Sequence, residues 1–329
     1  MSNGQAAIVT TLRNAGRVLD SFIAYHRAIG FARLYLFFDD PADPDLPRIA
    51  AHPFVTAIPH DSRLRDRWRA LPDYAGHAAF IDREVMTRQA LNAALAMELA
   101  RADGLDWLLH IDSDELFFSP TQSAAEHFRS LEDQPADTML YLNFEAFPEA
   151  DDIGDFFREV DLFKVPRELN PNPVTPALLS TLKATPQLHP DFFHYYGTGK
   201  SAVRLSAPGM QPNGVHHFAH PRGEYRMAEA RAQFVLHYPC CGFEAFWTKY
   251  VTLGRFADHW WEKYDIAASI GRFHLEARDI VATGDREVAR SFYRQRVAIG
   301  DKARLDALLR LGVVTRFRAP QQILAQGRP

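Results

Sequence analysis

The feature that most constrains this chain is an apolar run, residues 105–111, that stops in three acids, Asp112, Asp114 and Glu115. An apolar run of this length reads as a buried strand. In an open α/β sheet, ligands bind outside the carboxyl ends of the strands. Side chains alternate along an extended chain, so the strand reading puts Asp112 and Asp114 on one side and Ser113 on the other. Two carboxylates so close repel unless a cation lies between them. Ions such as Mg²⁺ are held by one or two carboxylates plus substrate phosphates. The pattern therefore points to a clasp for a metal and a diphosphate. The plain alternative is a polar turn that ends a strand and caps a following helix.

A length of 329 residues suits one large domain or one and a half. Apolar residues at 47% and charged residues at 24% are ordinary for a globular chain, so a sizeable core is available. A net charge of −4 offers no electrostatic footprint for nucleic acid. The two cysteines, Cys240 and Cys241, are adjacent; they exclude a disulfide framework and suit a reducing compartment. No window approaches the roughly 18–20 apolar residues of a membrane helix. The N-terminus has no basic signal region. The expectation is a cytoplasmic chain with no integral membrane segment, compatible with peripheral membrane association.

In chain order, residues 6–12 read as a strand and 17–29 as an amphipathic helix, with Val18, Leu19, Phe22, Ile23 and Ile29 at helical spacing. Gly30 suits its C-cap. Residues 34–38 and 54–58 are further strands, separated by an acidic, proline-broken loop at 39–45. Such an opening implies parallel strands with right-handed crossovers. Residues 63–76 read as a loop and 78–102 as a long helix that delivers the strand before the acids. A helix follows at 121–131 with Thr121 as its N-cap, then a strand at 138–147 and a proline-rich loop at 167–191. Short strands are expected at 201–205, 214–218 and 233–238, and helices after Gly242. The fold class is thus α/β, a mainly parallel mixed sheet flanked by helices. A first domain spans 1–241 and a helical extension 242–329.

Several segments in this order resemble the glycosyltransferases of family 92 and their bacterial relatives, within the family-2-like group of GT-A fold. Residues 8–14, with Tyr25-His26-Arg27-Ala28-Ile29-Gly30 after them, are similar to the family's first strand and its "YHRxxG" segment. Residues 107–117 resemble its tryptophan-hydrophobic-DxDEF signature, with Leu116 where Phe is usual. Gly199-Lys200-Ser201-Ala202-Val203-Arg204, Val215-His216 and His237-Tyr238 resemble its later segments. The resemblance covers about residues 6–255. It implies a GT-A-like domain, a UDP- or GDP-sugar donor, a carbohydrate or other hydroxyl acceptor, Mn²⁺ or Mg²⁺, and inversion at the anomeric carbon. One departure stands out: Ala15 follows Asn14 where the family usually has an acid that helps hold the base, so this turn does not fix the nucleotide.

The resemblance gives the donor-binding candidates Thr11, Arg13, Asn14, Asp39, Asp40, Gln89 and Asp112. Lys200 and Arg204 could serve the diphosphate as point charges. Asp112, Asp114 and His237 are the candidate metal ligands; an imidazole at a strand end is a common ligand. A Lewis-acid ion would neutralise the leaving phosphate. An inverting transfer also needs a general base within reach of the acceptor hydroxyl. Glu145, Asp151 and Asp152 are the candidates, with Glu149 beside them. For each of these residues a solvated or structural role competes. Phe246 and Trp247 read as core, while Trp260 and Trp261 are open to either role.

Two other readings use the same acids. A nucleotidyltransferase or phosphodiesterase would usually cluster more ligands around two metals. A non-catalytic calcium module would need 6–8 oxygens, more than this stretch supplies.

Overall fold

Residues 6–12 and 33–38, rich in aromatic and branched side chains, form two adjacent parallel strands of a seven-stranded sheet. The computed structural model describes residues 4–16, 18–170 and 172–326. In chain order the strands are β1 (Ala6–Leu12), β2 (Arg33–Phe38), β3 (Val55–Pro59), β4 (Trp107–His110), β5 (Glu115–Phe118), β6 (Thr138–Tyr141), β7 (Asn143–Ala146), β8 (Leu162–Lys164), β9 (Lys200–Arg204), β10 (Gln211–Asn213), β11 (His217–Ala219), β12 (Met227–Glu229), β13 (Phe234–His237), β14 (His259–Trp260), β15 (Tyr264–Asp265) and β16 (Val314–Arg316).

Two compact units result. The first holds the chain up to Leu142, Thr198–Val235 and Gln326; the second holds Asn143–Gly197 and Leu236–Ala325. The expected boundary at 241/242 lies inside the second unit.

The first unit is built on a sheet of order β12-β6-β9-β4-β1-β2-β3. Strands β4, β1, β2 and β3 run parallel, whereas β9 is antiparallel to both β4 and β6. The architecture is mixed α/β, with a mostly parallel sheet flanked by helices. All seven residues of β1 are buried, as expected of a strand covered on both faces. The helix Val85–Ala102 lays Leu91, Leu95, Ala96 and Met97 into the core shared by Ala7, Val9, Tyr35, Phe37 and Leu108. The ends of β1, β2 and β4 share one edge, because Val9 pairs with His110 and Leu12 with Phe38.

In the second unit, β8 pairs antiparallel with β7 and with β16. Residues 243–326 are mainly helical. Phe246 is fully buried in a cluster with Phe243, Tyr250, Phe273 and Tyr293, as a core residue, and Trp247, partly buried, packs against that cluster. Cys240 and Cys241 are buried and unbridged.

Several expectations are corrected. Residues 63–76 are not a loop: Ser62–Arg69 is a helix capped by Asp61, whose side chain accepts from Leu64 N. Its inner face is only Leu64 and Trp68, one turn apart, which is too thin a stripe to see by periodicity. The proline-rich stretch holds a helix, Pro176–Lys183, with Thr175 as N-cap and proline in the first turn, where its missing N–H costs nothing. The expected strand 138–147 is two strands, β6 and β7, on either side of Leu142. The helix after the acids begins at Ala124. Ser123, not Thr121, caps it, in a reciprocal box with Glu126. Arg17, expected to open the first helix, lies outside the described residues; that helix is described over Val18–Ala28.

Candidate functional site

The acids do not continue a strand. Strand β4 ends at His110, and residues 112–115 form a turn closed from both sides. Glu115 N donates to Asp112 O at 3.1 Å, and Asp112 N donates to Glu115 Oε2 at 2.7 Å. The alternation that would set Asp112 and Asp114 on one face therefore does not operate. Glu115 opens a strand, β5, rather than a helix, and its side chain is fully buried. Upstream, the Thr10 hydroxyl donates to Ile111 O at 2.6 Å. Downstream, the Tyr25 hydroxyl donates to Phe117 O at 3.0 Å, and Phe117 N donates to His26 Nε2 at 3.2 Å. The Tyr25-His26 pair is thus a clasp that holds the strand behind the acids. Burial lowers the His26 pKa to about 3 and keeps the ring neutral, as an acceptor requires.

Asp112 is the centre of the site. Its Oδ1 accepts from Gln89 Nε2 at 2.6 Å, and its Oδ2 accepts from Lys200 Nζ at 2.7 Å. The Asp112 side chain is 26% exposed, while Lys200 is fully buried. The ammonium also donates to Val215 O at 3.1 Å and lies 3.7 Å from Glu115 Oε2. Burial works against the Asp112 charge, but the Lys200 ammonium outweighs it and holds the carboxyl well below the usual carboxylate range. Burial likewise works against Lys200, and Asp112 and Glu115 reverse it, raising the ammonium above the usual lysine range. The glycine before Lys200 is required: Gly199 has φ +74°, and a Cβ there would lie 2.4 Å from Tyr141 O. That close approach lets the lysine enter from the end of β9. Lys200, expected to reach out to phosphates, points inward instead.

A second group stands at the end of β2. Arg88 holds Asp39 with two parallel bonds, Nε to Oδ1 at 2.5 Å and Nη2 to Oδ2 at 2.7 Å. Burial raises the Asp39 carboxyl, but His60 and Arg88 overcome this and keep it ionised far below its ordinary value. Asp40 makes a looser pair with Arg13 at 3.6 Å. Asn14 sits at φ +53° with its N–H on Asp43 Oδ2 at 2.8 Å. Thr11 Oγ1 accepts from Asn92 Nδ2 at 2.8 Å, and Asn92 Oδ1 accepts from the Trp68 indole at 3.1 Å. The strand tips thus bring together Gln89, Asp112 and Lys200, and separately Asp39 with Arg88. Arg204 is elsewhere in its work: it donates to the carbonyls of Ala136, Leu131 and Gln134 and stacks over Trp107.

Two histidines that stood outside the main candidates adjoin this centre. His110 is 1% exposed, and neither ring nitrogen has a hydrogen-bond partner among the described residues. Burial, and then the nearby Lys200 charge, lower its pKa to about 3. His216 Nδ1 bonds Gly199 O at 3.2 Å, and burial and Lys200 lower its pKa too. His216 stands in a segment already marked by the resemblance, whereas His110, the last residue of β4, was not singled out as a candidate. A groove of about 590 Å³ runs along Leu91, Ala94 and Met97 of the long helix, and none of these site residues lines it.

The remaining candidates belong to the second unit. Glu145 is 2% exposed and paired to Lys164 at 2.7 Å, and it also accepts the N–H groups of His194 and Tyr195. Asp151 pairs with Arg294 and lies 3.9 Å from Arg290. Glu149 meets Arg316 at 2.8 Å. Asp152 is exposed. His237 is buried among the rings of Tyr195 and Tyr196. Among the described residues no group of three or more His, Cys, Asp or Glu side chains could hold a metal ion. No described helix is long and apolar enough to cross a membrane.

No family model matches the chain. It is similar to two Arabidopsis thaliana proteins. The glycosyltransferase-like At2g41451 is 29% identical over 338 residues, covering 97% of this chain and 72% of that protein. The glycosyltransferase-like At3g57200 is 26% identical over 333 residues, covering 97% of this chain and 63% of that protein. The chain therefore spans less than two thirds of the second relative. Among solved structures, Staphylococcus aureus TarS gives a TM-score of 0.36 at 10% identity, over 75% of this chain and 39% of TarS. Core-mannan synthase A from Aspergillus fumigatus, in an Mn/GDP form, gives 0.35 at 12%, over 91% of this chain and 86% of that one. At TM-scores this low the likeness carries no weight for fold or chemistry.

Proposed function

We propose that the chain is a glycosyltransferase of GT-A-like build that takes a nucleotide-sugar donor and transfers its sugar, with inversion, to a hydroxyl acceptor. The observation that carries the reading is the half-open Asp112 carboxylate at the shared carboxyl edge of β1, β2 and β4, fixed from behind by Lys200 and Gln89. That edge is where open α/β sheets bind ligands. The names of the two Arabidopsis relatives, which match 97% of the chain, point the same way.

In this reading Asp112 presents its exposed side as a hydrogen-bond acceptor to the donor, and Asp39, Asp40, Arg13 and Asn14 line the nucleoside side. Acceptors fixed in this way hold the donor in one orientation before the leaving group departs. Asp114 is the carboxylate for a divalent ion brought with the diphosphate, since Mg²⁺-type ions bind through one carboxylate and phosphates. Glu145, closed on Lys164 and two backbone N–H groups, is not available to take a proton from an acceptor hydroxyl.

A donor-hydrolysis screen tests the proposal without a known acceptor. The purified chain is given UDP- and GDP-sugars with Mn²⁺, and release of nucleoside diphosphate is followed. The reading expects one donor to be cleaved, with proton NMR of the fresh transfer product showing the inverted anomer. A product retaining the donor's configuration would remove the inverting part. Cleavage of simple phosphodiesters with no action on sugar nucleotides would replace the whole reading.

A further inference from the structure

We propose that Lys200 is the site's resident cation and withholds Asp112 from any divalent metal, so that Asp112 is not a metal ligand in this protein. Three observations meet in this assignment. Both carboxylate oxygens of Asp112 already face positive donors, an amide N–H on Oδ1 and an ammonium on Oδ2. The Gln89 orientation is fixed by chemistry, because the opposite flip would set two oxygens against each other. Lys200 is fully buried and anchored by the Val215 carbonyl, with Glu115 on a further side. It is therefore built into the fold rather than swung in from solvent.

The expected set of Asp112, Asp114 and His237 disagrees with this arrangement. No such three-residue group exists among the described residues. An ion on Asp112 would meet the lysine charge across a single carboxylate. The sequence could not show this, since a lysine after a glycine-rich stretch reads equally well as a phosphate contact. Lys200 is thus a positioning residue that acts through Asp112. It supplies the counter-charge that a metal would otherwise give, and it fixes which edge of the carboxylate is open.

Mn²⁺ binding followed by the EPR signal of the free ion tests this in the absence of any sugar nucleotide, so the outcome is independent of the glycosyl-transfer reading. Lys200→Met keeps the side-chain length and removes the charge. It is expected to bind Mn²⁺ roughly tenfold or more tighter than the wild type, the scale on which groups beside a ligand tune metal affinity. Adding Asp112→Asn to that variant should abolish the gain, and Lys200→Arg should show none. Asp112→Asn alone in the wild-type chain, which does not depend on the lysine variant folding, should leave Mn²⁺ affinity unchanged. Equal Mn²⁺ affinity of Lys200→Met and wild type would overturn the proposal. So would a loss of Mn²⁺ affinity on Asp112→Asn alone. Absence of any nucleotide-sugar turnover would bear only on the function proposed above.

Discussion

The two units each carry a lysine–carboxylate pair at 2.7 Å, and the pairs behave differently. Glu145 and Lys164 are each 2% exposed. Both Glu145 oxygens are filled by Lys164 and the backbone N–H groups of residues 194 and 195. Asp112 keeps 26% of its side chain open while its lysine is sealed. The lysines shift in opposite directions. For Lys164, burial prevails over its single close acid and lowers its pKa. For Lys200, Asp112 and Glu115 prevail over burial and raise it. A closed pair holds backbone in place, whereas a half-open pair offers a charged edge to a ligand. Two pairs of like chemistry thus differ in what they leave exposed, almost nothing in one unit and a carboxylate edge in the other.

The sharpest way to break this comparison is Glu145→Ala. It strands a buried ammonium and two backbone donors, so a loss of about 3–5 kcal/mol is expected in urea unfolding. A loss near zero would mean the pair is not closed. Asp112→Asn should cost less stability, about 1.5–3 kcal/mol, the range for a hydrogen bond to a charged group. Its effect on donor cleavage should be far larger, roughly a hundredfold, the scale for losing a contact that positions the substrate. Equal damage to stability and cleavage would make it a structural residue like Glu145.

Acid separates the site further. The folded His110 pKa, lowered to about 3 by burial, lies below its ordinary value of 6.5. Between those two values the unfolded chain binds a proton that the folded chain refuses, so stability falls as pH drops from 6.5 towards 3. One such group gives a slope of up to about 1.4 kcal/mol per pH unit. His110→Phe should therefore flatten the loss of stability between pH 7 and pH 5, measured by urea midpoints at each pH. An unchanged slope would mean His110 takes up its proton in the folded state. The smallest effect is expected for Gln89→Leu, about 1.5 kcal/mol, the low end of the range for one hydrogen bond to a charged group. It should slow donor cleavage more than it lowers the melting temperature; the reverse result would place Gln89 in the scaffold.

Much of the frame was legible from the residues. Strands β1 and β2 stand out as apolar runs that end in turn chemistry, and 105–111 marks the tip that carries Asp112. Lys200 was visible as a phosphate contact rather than a buried partner of Asp112, because a sequence cannot say whether a charged side chain faces water or the interior. The Ser62–Arg69 helix escaped because only Leu64 and Trp68 mark its inner face. The break between β6 and β7 escaped because a strand leaving its sheet at Leu142 keeps the same apolar pattern. Residues 143–197 hold Glu145, Asp151 and Asp152, and their membership of a separate unit depends on contacts distant in sequence. Side-chain chemistry alone nominated all three as bases, and only burial separates Glu145 from the others.

The central claim is that the half-open Asp112 edge is where a sugar-nucleotide donor binds. Isothermal titration of UDP and GDP, with Mn²⁺ present, into the wild type and Asp112→Asn tests it most directly. The account predicts that one nucleotide binds the wild type and that affinity falls roughly tenfold or more in Asp112→Asn, the cost of losing a charged hydrogen bond, while the variant stays folded. Binding of equal strength to both proteins, or to neither, would contradict it.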